Sequence, residues 1–459
     1  MKTTNLIAAF LLFAGPAGLA RAEELGPFAS TPAAPVAPGC RAPKVVQRNP
    51  AVAFGKKVYL VAWCDGSRQP VKDAADIYVA RVEPKTGKAL DPKGILVCEA
   101  EGIQGYPAVA FDGTNFLVAW EDFRNGKDYD VYAARVSEDG KVLDEGGFPV
   151  AVRADNQARP AVGFAGGNYL VAWMDGRRYP VYGIYAARVS SAGKCLDIQG
   201  IELDAEDQAK IDKVKPKDGK WLGDKERWWR TLGSCGTPVI ASNGKRCLVA
   251  YNKEVTRVNA NTQTAVLLVD PVTGKRAGEP VVLKDSNPED RPAATATPVG
   301  WAVSLDHWIG GWGCTPTISC ARLDAALKTA DAFGRRGNPN APHEAFKDGA
   351  YAAGKGQTTA FQPAIAWNGK RLVLAQDLGW RPKDQGPFSA ILLNRCEAAG
   401  PPKLLDAKSV RVDAGPERGG VFVANCALAA GPGGECLLVY ERDAGVADCK
   451  VVGRVIRER

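Results

Sequence analysis

The sequence predicts an all-β fold assembled from repeated four-stranded units, and three observations carry that reading. The first is composition. Over 459 residues the chain is 46% hydrophobic, 24% charged and 8% aromatic, which excludes a wholly disordered, collagen-like or multi-pass membrane chain. Its 50 Gly and 31 Pro punctuate many short apolar runs, as turns do between strands. The second is an internal repeat that recurs along nearly the whole chain. The third is where the repeat stops, one strand short of a complete unit at the C-terminus. Four antiparallel strands per unit and seven units are the signature of a seven-bladed β-propeller.

Three copies are strong. Pro50-Ala-Val-Ala-Phe54 is followed by Tyr59-Leu-Val-Ala-Trp63, Asp65, Arg68 and Ile77-Tyr-Val-Ala-Arg-Val82. Pro107-Ala-Val-Ala-Phe111 is followed by Phe116-Leu-Val-Ala-Trp120, Asp122, Arg124 and Val131-Tyr-Ala-Ala-Arg-Val136. Pro160-Ala-Val-Gly-Phe164 is followed by Tyr169-Leu-Val-Ala-Trp173, Asp175, Arg177 and Ile184-Tyr-Ala-Ala-Arg-Val189. Weaker copies begin at Pro238, Pro292, Pro363 and Val421, with Tyr251, Ser304, Gln376 and Tyr440 in the place of the Trp.

Each copy reads as four β segments, A to D. A is the Pro-Ala-Val-Ala run, and a Gly/Asn turn leads to B, the Leu-Val-Ala-Trp run. Both are nearly continuously apolar, which predicts burial on both faces. Segment C (Tyr-x-Ala-Arg-Val) alternates and has one buried face. A second turn leads to D, as in Gly94-Ile-Leu-Val97. The last copy ends after its C segment at Ile456. The missing D strand is therefore assigned to the N-terminus, at Pro43-Lys-Val-Val46, closing the ring and covering two bare strand edges. The rival count is six blades, with the Pro292 or Val421 copy in an extension.

The repeat is similar to that of uncharacterised exported bacterial β-propeller proteins, over residues 43–456. The resemblance implies fold and export, and it supplies no reaction and no catalytic residues. The Ser-x-Asp-x-Gly-x-x-Trp box of sialidase propellers and the Gly-His and Trp-Asp pair of WD repeats are both missing from the sequence.

Residues 1–22 have the three parts of a secretory signal: Lys2, an apolar stretch over 6–19, and Ala20-Arg21-Ala22 before a mature start near Glu23. The domain reading is a signal over 1–22, a Pro/Ala-rich segment over 23–42 and one propeller over 43–459. It places the mature chain in the periplasm or outside the cell. Net charge is +8, or +6 without Lys2 and Arg21, with both signs interspersed, which is not the clustered basic face of a nucleic-acid binder. The 12 Cys in an exported chain predict disulfides, with Cys235/Cys247, Cys426/Cys436 and Cys314/Cys320 as local candidates. Only two His, His307 and His343, and no Cys-x-x-Cys pair argue against zinc. No cofactor is predicted, and no motif supports Ca²⁺.

The D–A crossovers and B–C loops share one face of a propeller. Asp65/Arg68, Asp122/Arg124 and Asp175/Arg177 fall there, as a carboxylate ring for metal or acid–base work or as caps of the B–C hairpin. Because these residues repeat with the fold they are assigned to structure, together with Trp63, Trp120 and Trp173. Function is expected where the repeat breaks. Insertions at 205–235 and 334–360 enter blades four and six on that face, and loops this long are often functional. Trp221, Trp228 and Trp229 lie in the first insertion, His307, Trp308 and Trp312 in the B–C loop of blade five, and Trp380 and Arg381 in that of blade six. Clustered Trp marks a binding surface, and these residues are the candidate ligand site, with packing of the insertions as the alternative. Residues 210–230 read as a solvated short helix.

No nucleophile elbow, phosphate loop or metal motif is present. The functional expectation is an exported binding or interaction module for a glycan, an envelope polymer or a protein. The alternatives are a carbohydrate-active hydrolase or lyase using carboxylates such as Asp306, Asp377 or Asp443, and a structural envelope scaffold.

Overall fold

Seven antiparallel sheets form, one for each copy of the repeat. The computed structural model describes residues 23–25, 28–31, 33–36, 46–66, 75–179, 181–214, 235–254, 262–283, 292–307, 317–332, 356–382, 388–399, 405–406, 410–414, 422–443 and 449–459. Blade one is the pattern: strands A to D are Gln47–Phe54, Tyr59–Asp65, Asp76–Val82 and Ile95–Cys98, paired in chain order. Blades two to six repeat this order over 104–151, 157–204, 239–283, 293–332 and 356–414. Blade seven takes strands A to C from 422–458. Each strand A packs against the A strands of both neighbouring blades, so the seven A strands encircle the axis and the D strands form the rim.

The apolar runs bury themselves between blades. Seven core clusters form, one at each seam, from Leu60, Val79, Phe116 and Val118 between blades one and two round to Tyr59, Val61, Leu437 and Val439 between seven and one. Strand B of blade one is buried at every position, and its Trp63, like Trp120 and Trp173, has no exposed surface. Strand A departs from the expectation of two buried faces: residues 51–54 are only half-buried, because the innermost strand has no further strand on its axial side. At the start of strand D the chain crosses each Trp ring at a glycine. In blade two Gly147 has φ of 77°, and a Cβ there would lie 2.4 Å from Trp120.

The ring closes as a propeller of this kind requires, but through other residues than 43–46. Phe28–Ser30 pairs with Ile456 to Glu458, and Ala34–Pro35 pairs with Gly453 and Val452. Thr31 and Val36 add backbone bonds of 3.0 Å to Val455 and Val451, and Val36 enters the seam core beside Trp63 and Val439. Glu23–Leu25 folds back outside Phe28–Ser30 as one more strand. Of the predicted closing segment, Val46 makes a single parallel bridge to Cys449, and 43–45 lie outside the described residues. Neither the Cys235/Cys247 nor the Cys426/Cys436 bridge is formed, since Cys235, Cys247 and Cys436 are thiols; Cys314 lies outside the described residues.

On the face opposite the crossovers, the Arg of segment C clamps an Asp of its own C–D turn. Arg81–Asp91, Arg135–Asp144, Arg188–Asp197 and Arg395–Asp406 are four copies among the described residues, with closest contacts of 2.7–2.8 Å. Arg135 also donates to Ser191 O in the next blade at 3.1 Å, so the clamp staples the seam. Burial raises the Asp91, Asp144 and Asp197 carboxyls, but the bonds and charge of the paired Arg outweigh it and hold each below the ordinary Asp range.

A depressed carboxyl stabilises the fold above its unfolded pKa, and that stability is lost as pH falls through the folded value. Arg135→Met is expected to lower unfolding free energy at pH 7 by about 1–2 kcal/mol. The difference from wild type should shrink below roughly pH 4 as Asp144 protonates, as measured by denaturant melts at the two pH values. A difference independent of pH would contradict the charge-assisted clamp.

Candidate functional site

Strand A starts at the crossover face, and its first residues are held from two sides. Gln47, Gln104 and Gln157 are buried at equivalent positions. Gln104 donates to Glu101 O at 3.0 Å and Gln157 to Asp155 O at 2.8 Å, while Gln47 accepts Val451 N at 3.1 Å. The side chains thus fix the chain's entry into blades two and three and tie blade one to blade seven. Two residues later the strand bulges. Register is lost between Arg48 and Ala51, Gly105 and Ala108, Ala158 and Ala161, and Ala424 and Ala427. At these bulges Asn49, Tyr106, Arg159 and Asn425 adopt φ of 53°, 47°, 54° and 53°. A left-handed backbone costs a residue with a Cβ roughly 1–2 kcal/mol, so four equivalent instances need something to hold them. Bulges re-aim side chains, and such strain gathers at functional sites.

Carboxylates of the preceding blade hold three of them. The position after the repeat Trp of strand B, or after the residue in its place, faces the next blade, and in blades two, six and seven it is Glu121, Asp377 and Glu441. Glu121 accepts Arg159 N at 2.9 Å, Asp377 accepts Asn425 N at 2.8 Å and Glu441 accepts Asn49 N at 2.7 Å. All three acids are buried. Charge-assisted bonds of this kind contribute about 1.5–3 kcal/mol each, enough to offset the backbone strain.

Around these latches lies a mixed polar and aromatic cluster. Glu441 Oε1 also accepts Asn425 Nδ2 at 2.6 Å, and Oε2 faces the exposed Arg48 guanidinium at 3.9 Å. Cys64 Sγ donates to Asn49 Oδ1 at 3.5 Å. The Arg159 guanidinium stacks 3.3 Å from the centre of the Tyr106 ring, with its Nε 4.0 Å from Glu121. Tyr129, against Phe123 at 5.0 Å, is close enough to feel the charges of Glu121 and Arg159. Burial pushes the Glu121 carboxyl up despite the Arg159 amide and charge. Burial, with Glu441 and Asp65 beside it, pushes the Cys64 thiol up to about 12, so it is not an activated nucleophile. The acids are turned into the seams onto backbone amides, whereas Arg48, Asn49, Tyr106, Arg159 and Asn425 keep exposed surface. Among the described residues no group of three or more His, Cys, Asp or Glu is placed to hold a metal ion.

The repeated Trp-Asp-Arg positions form a separate layer. Trp120 and Trp173 donate to Asp122 and Asp175 at 2.7 and 2.8 Å, and Trp63 donates to Asp65 at 3.2 Å. Arg124 and Arg177 grip the same carboxylates bidentately and stack on Tyr132 and Tyr185. Asp122 and Asp175 are sealed from solvent; Arg68 lies outside the described residues. Blade four reverses the arrangement: Lys253 stands where Asp would, and Asp204 of blade three accepts its ammonium and the Tyr251 hydroxyl, the latter at 2.6 Å. Of the first insertion, Gln208–Val214 is a short helix, and Trp221, Trp228 and Trp229 lie outside the described residues, as do Trp308 and Trp312. His307, Trp380 and Arg381 are at strand ends, where His307 opposes Thr317 and Trp380 opposes Thr358 and Phe388. Asp306 and Asp443 are also strand residues, opposite Ile318 and Cys449.

The residues just before the segment A prolines had a signal of their own. Aligned on the Pro or its equivalent, this position reads Asn49, Tyr106, Arg159, Thr237, Arg291, Gln362 and Asn425. It is polar or aromatic in every copy and varies inside otherwise strict repeats.

The B–C loop of blade two carries one charge conflict. Asn125 Nδ2 alone bridges Asp128 and Asp130, at 2.7 and 2.8 Å. Asp130 Oδ1 is buried without a partner, and burial with the Asp128 charge pushes Asp130 up to about 6. A raised carboxyl binds its proton more tightly in the folded state, so stability falls as pH rises from about 4 to 6. Asp130→Asn is expected to stabilise the protein at pH 7.5 by about 1–2 kcal/mol and to give no gain at pH 4, read from paired melts. Destabilisation at pH 7.5 would contradict the conflict.

No protein-family model matches the sequence, and no curated protein does. Among solved structures it is similar to a protein of unknown function from Dyadobacter fermentans (14% identity, TM-score 0.42, covering 92% of this chain and 97% of the other). It is similar to a neuraminidase-like protein from A/bat/Guatemala/164/2009 (10%, 0.45, 95% and 95%). A third is an α-L-arabinofuranosidase from Fusarium graminearum (10%, 0.42, 91% and 94%).

Proposed function

We propose that this chain is an exported glycan-binding β-propeller whose ligand rests on the bulge residues around the axis, at the crossover face. The carrying observation is the set of four strained positions, Asn49, Tyr106, Arg159 and Asn425, which carry three residue types where the repeat is otherwise regular. Their chemistry suits a saccharide. Tyr106 offers a ring face, Asn49 and Asn425 offer amides for hydroxyls, and Arg48 and Arg159 offer planar donors. Binding is favoured over hydrolysis because Glu121, Asp377 and Glu441 are buried on backbone amides, where a general acid or nucleophile would have to reach the sugar. Export rests on residues 1–22, and N-terminal sequencing of the protein recovered outside the cytoplasm should begin at Glu23.

Glycine separates a functional role from a structural one, because it adopts the left-handed backbone without steric cost. Tyr106→Gly and Arg159→Gly are expected to be as stable as wild type or more so, within about 1 kcal/mol. Both should weaken binding to the best oligosaccharide of a neutral and acidic panel by at least about tenfold in calorimetry. Loss of stability with unchanged binding would assign these side chains to the fold and overturn the proposal.

A further inference from the structure

The seam between blades seven and one differs from its neighbour on the face opposite the crossovers. Between blades one and two, Glu138 accepts the Lys56 and Lys57 amides, the second at 2.8 Å, and lies under Gly55. The side chain plugs the seam. Aligned on the Ala-Arg-Val of segment C, the equivalent residue of blade one is Pro84, which carries no carboxylate. A cavity of about 730 Å³ opens there, lined by Lys57, Lys85 and Arg457 and by Glu83 and Glu435.

The charges of this cavity are unevenly matched. Glu83 accepts the Lys85 and Thr86 amides at 3.3 and 2.8 Å and the Thr86 hydroxyl. Glu435 accepts Gly433 N at 3.0 Å. Arg457 is pinned to the Pro84 and Lys85 carbonyls. The ammonium groups of Lys57 and Lys85 make no ion pair among the described residues. Behind the wall ends the Tyr59 hydroxyl, fully buried and without a hydrogen-bond partner. Its counterpart Tyr169 donates to Asn115 O of the preceding blade at 2.7 Å. At the closing seam the matching Glu435 carbonyl accepts Gly431 N at 2.7 Å, as Asn115 O accepts Asp112 N at 3.0 Å, but takes no bond from Tyr59. The hydroxyl abuts Gly431, where a Cβ would collide with it, and its neighbours Glu435 and Arg457 are cavity residues.

We propose that this seam cavity binds a small oxyanion, a compound bearing phosphate or carboxylate groups, with Lys57 and Lys85 as its charge partners. The site is independent of the axial one and lies on the opposite face. Thermal melts and calorimetry of the mature chain with inorganic phosphate and with citrate test it. Saturable stabilisation is expected from at least one, with affinity reduced at least about tenfold in Lys57→Ala/Lys85→Ala and retained in Lys127→Ala/Lys275→Ala. Preference for phosphate over citrate assigns a phosphoryl ligand, and the reverse a carboxylate. Absence of saturable binding up to about 20 mM of either probe, or binding that survives loss of both lysines, overturns the proposal.

Discussion

Three seams of the ring depend on one bond type: a buried carboxylate of strand B that receives a backbone amide from the next blade. Glu121, Asp377 and Glu441 each reach across a seam to a bulged residue of strand A. The bond satisfies a charge that could not be buried alone, and it holds a left-handed residue that would otherwise relax. It also sets where the polar side chains of the innermost strands begin. Fold and candidate site are therefore joined at the same atoms. A change to one of these acids would loosen the seam and displace the bulge together.

The rest of the ring is a division of labour by height. At the crossover face three seams are joined by carboxylates and backbone amides, and that between blades three and four by Asp204 with Lys253 and Tyr251. In the middle, apolar faces such as those of Trp63, Val61, Leu437 and Val439 meet. At the opposite face the arginine clamps cross from turn to turn, as Arg135 does to Ser191. The closing seam is the exception, because blade seven must borrow strands from residues 28–30 and 34–35. Its A–B turn, Gly431-Pro-Gly-Gly434, and the proline at 84 leave a space that Glu138 fills one blade later.

Blade number and strand order were legible because the repeats state them directly: the Trp, the turn glycines and the alternating segment C each have a packing cause. The closing strand was misplaced because a short edge strand has no periodicity to read. Pro43-Lys-Val-Val46 has β-forming residues, yet the pairing belongs to Phe28–Ser30 and Ala34–Pro35, set by contacts of Thr31 and Val36 with a strand more than 400 residues away. The axial cluster is not legible in the sequence, because its residues are where the copies differ. Asn49, Tyr106, Arg159 and Asn425 stand one residue before the shared motif, and only the bulge shows that they are equivalent. Glu441 and Asp377 share no residue type with Cys64 or Met174 at the same position, so their common role is visible only across the seam.

The most direct test of this account is a crystal structure of the mature protein soaked with its tightest-binding oligosaccharide. The account predicts saccharide density at the axial mouth, with a sugar ring against Tyr106 and hydroxyls within hydrogen-bond distance of Asn49, Asn425 or Arg159. Saccharide bound only on the loops or the rim, with the bulge residues untouched, would contradict it.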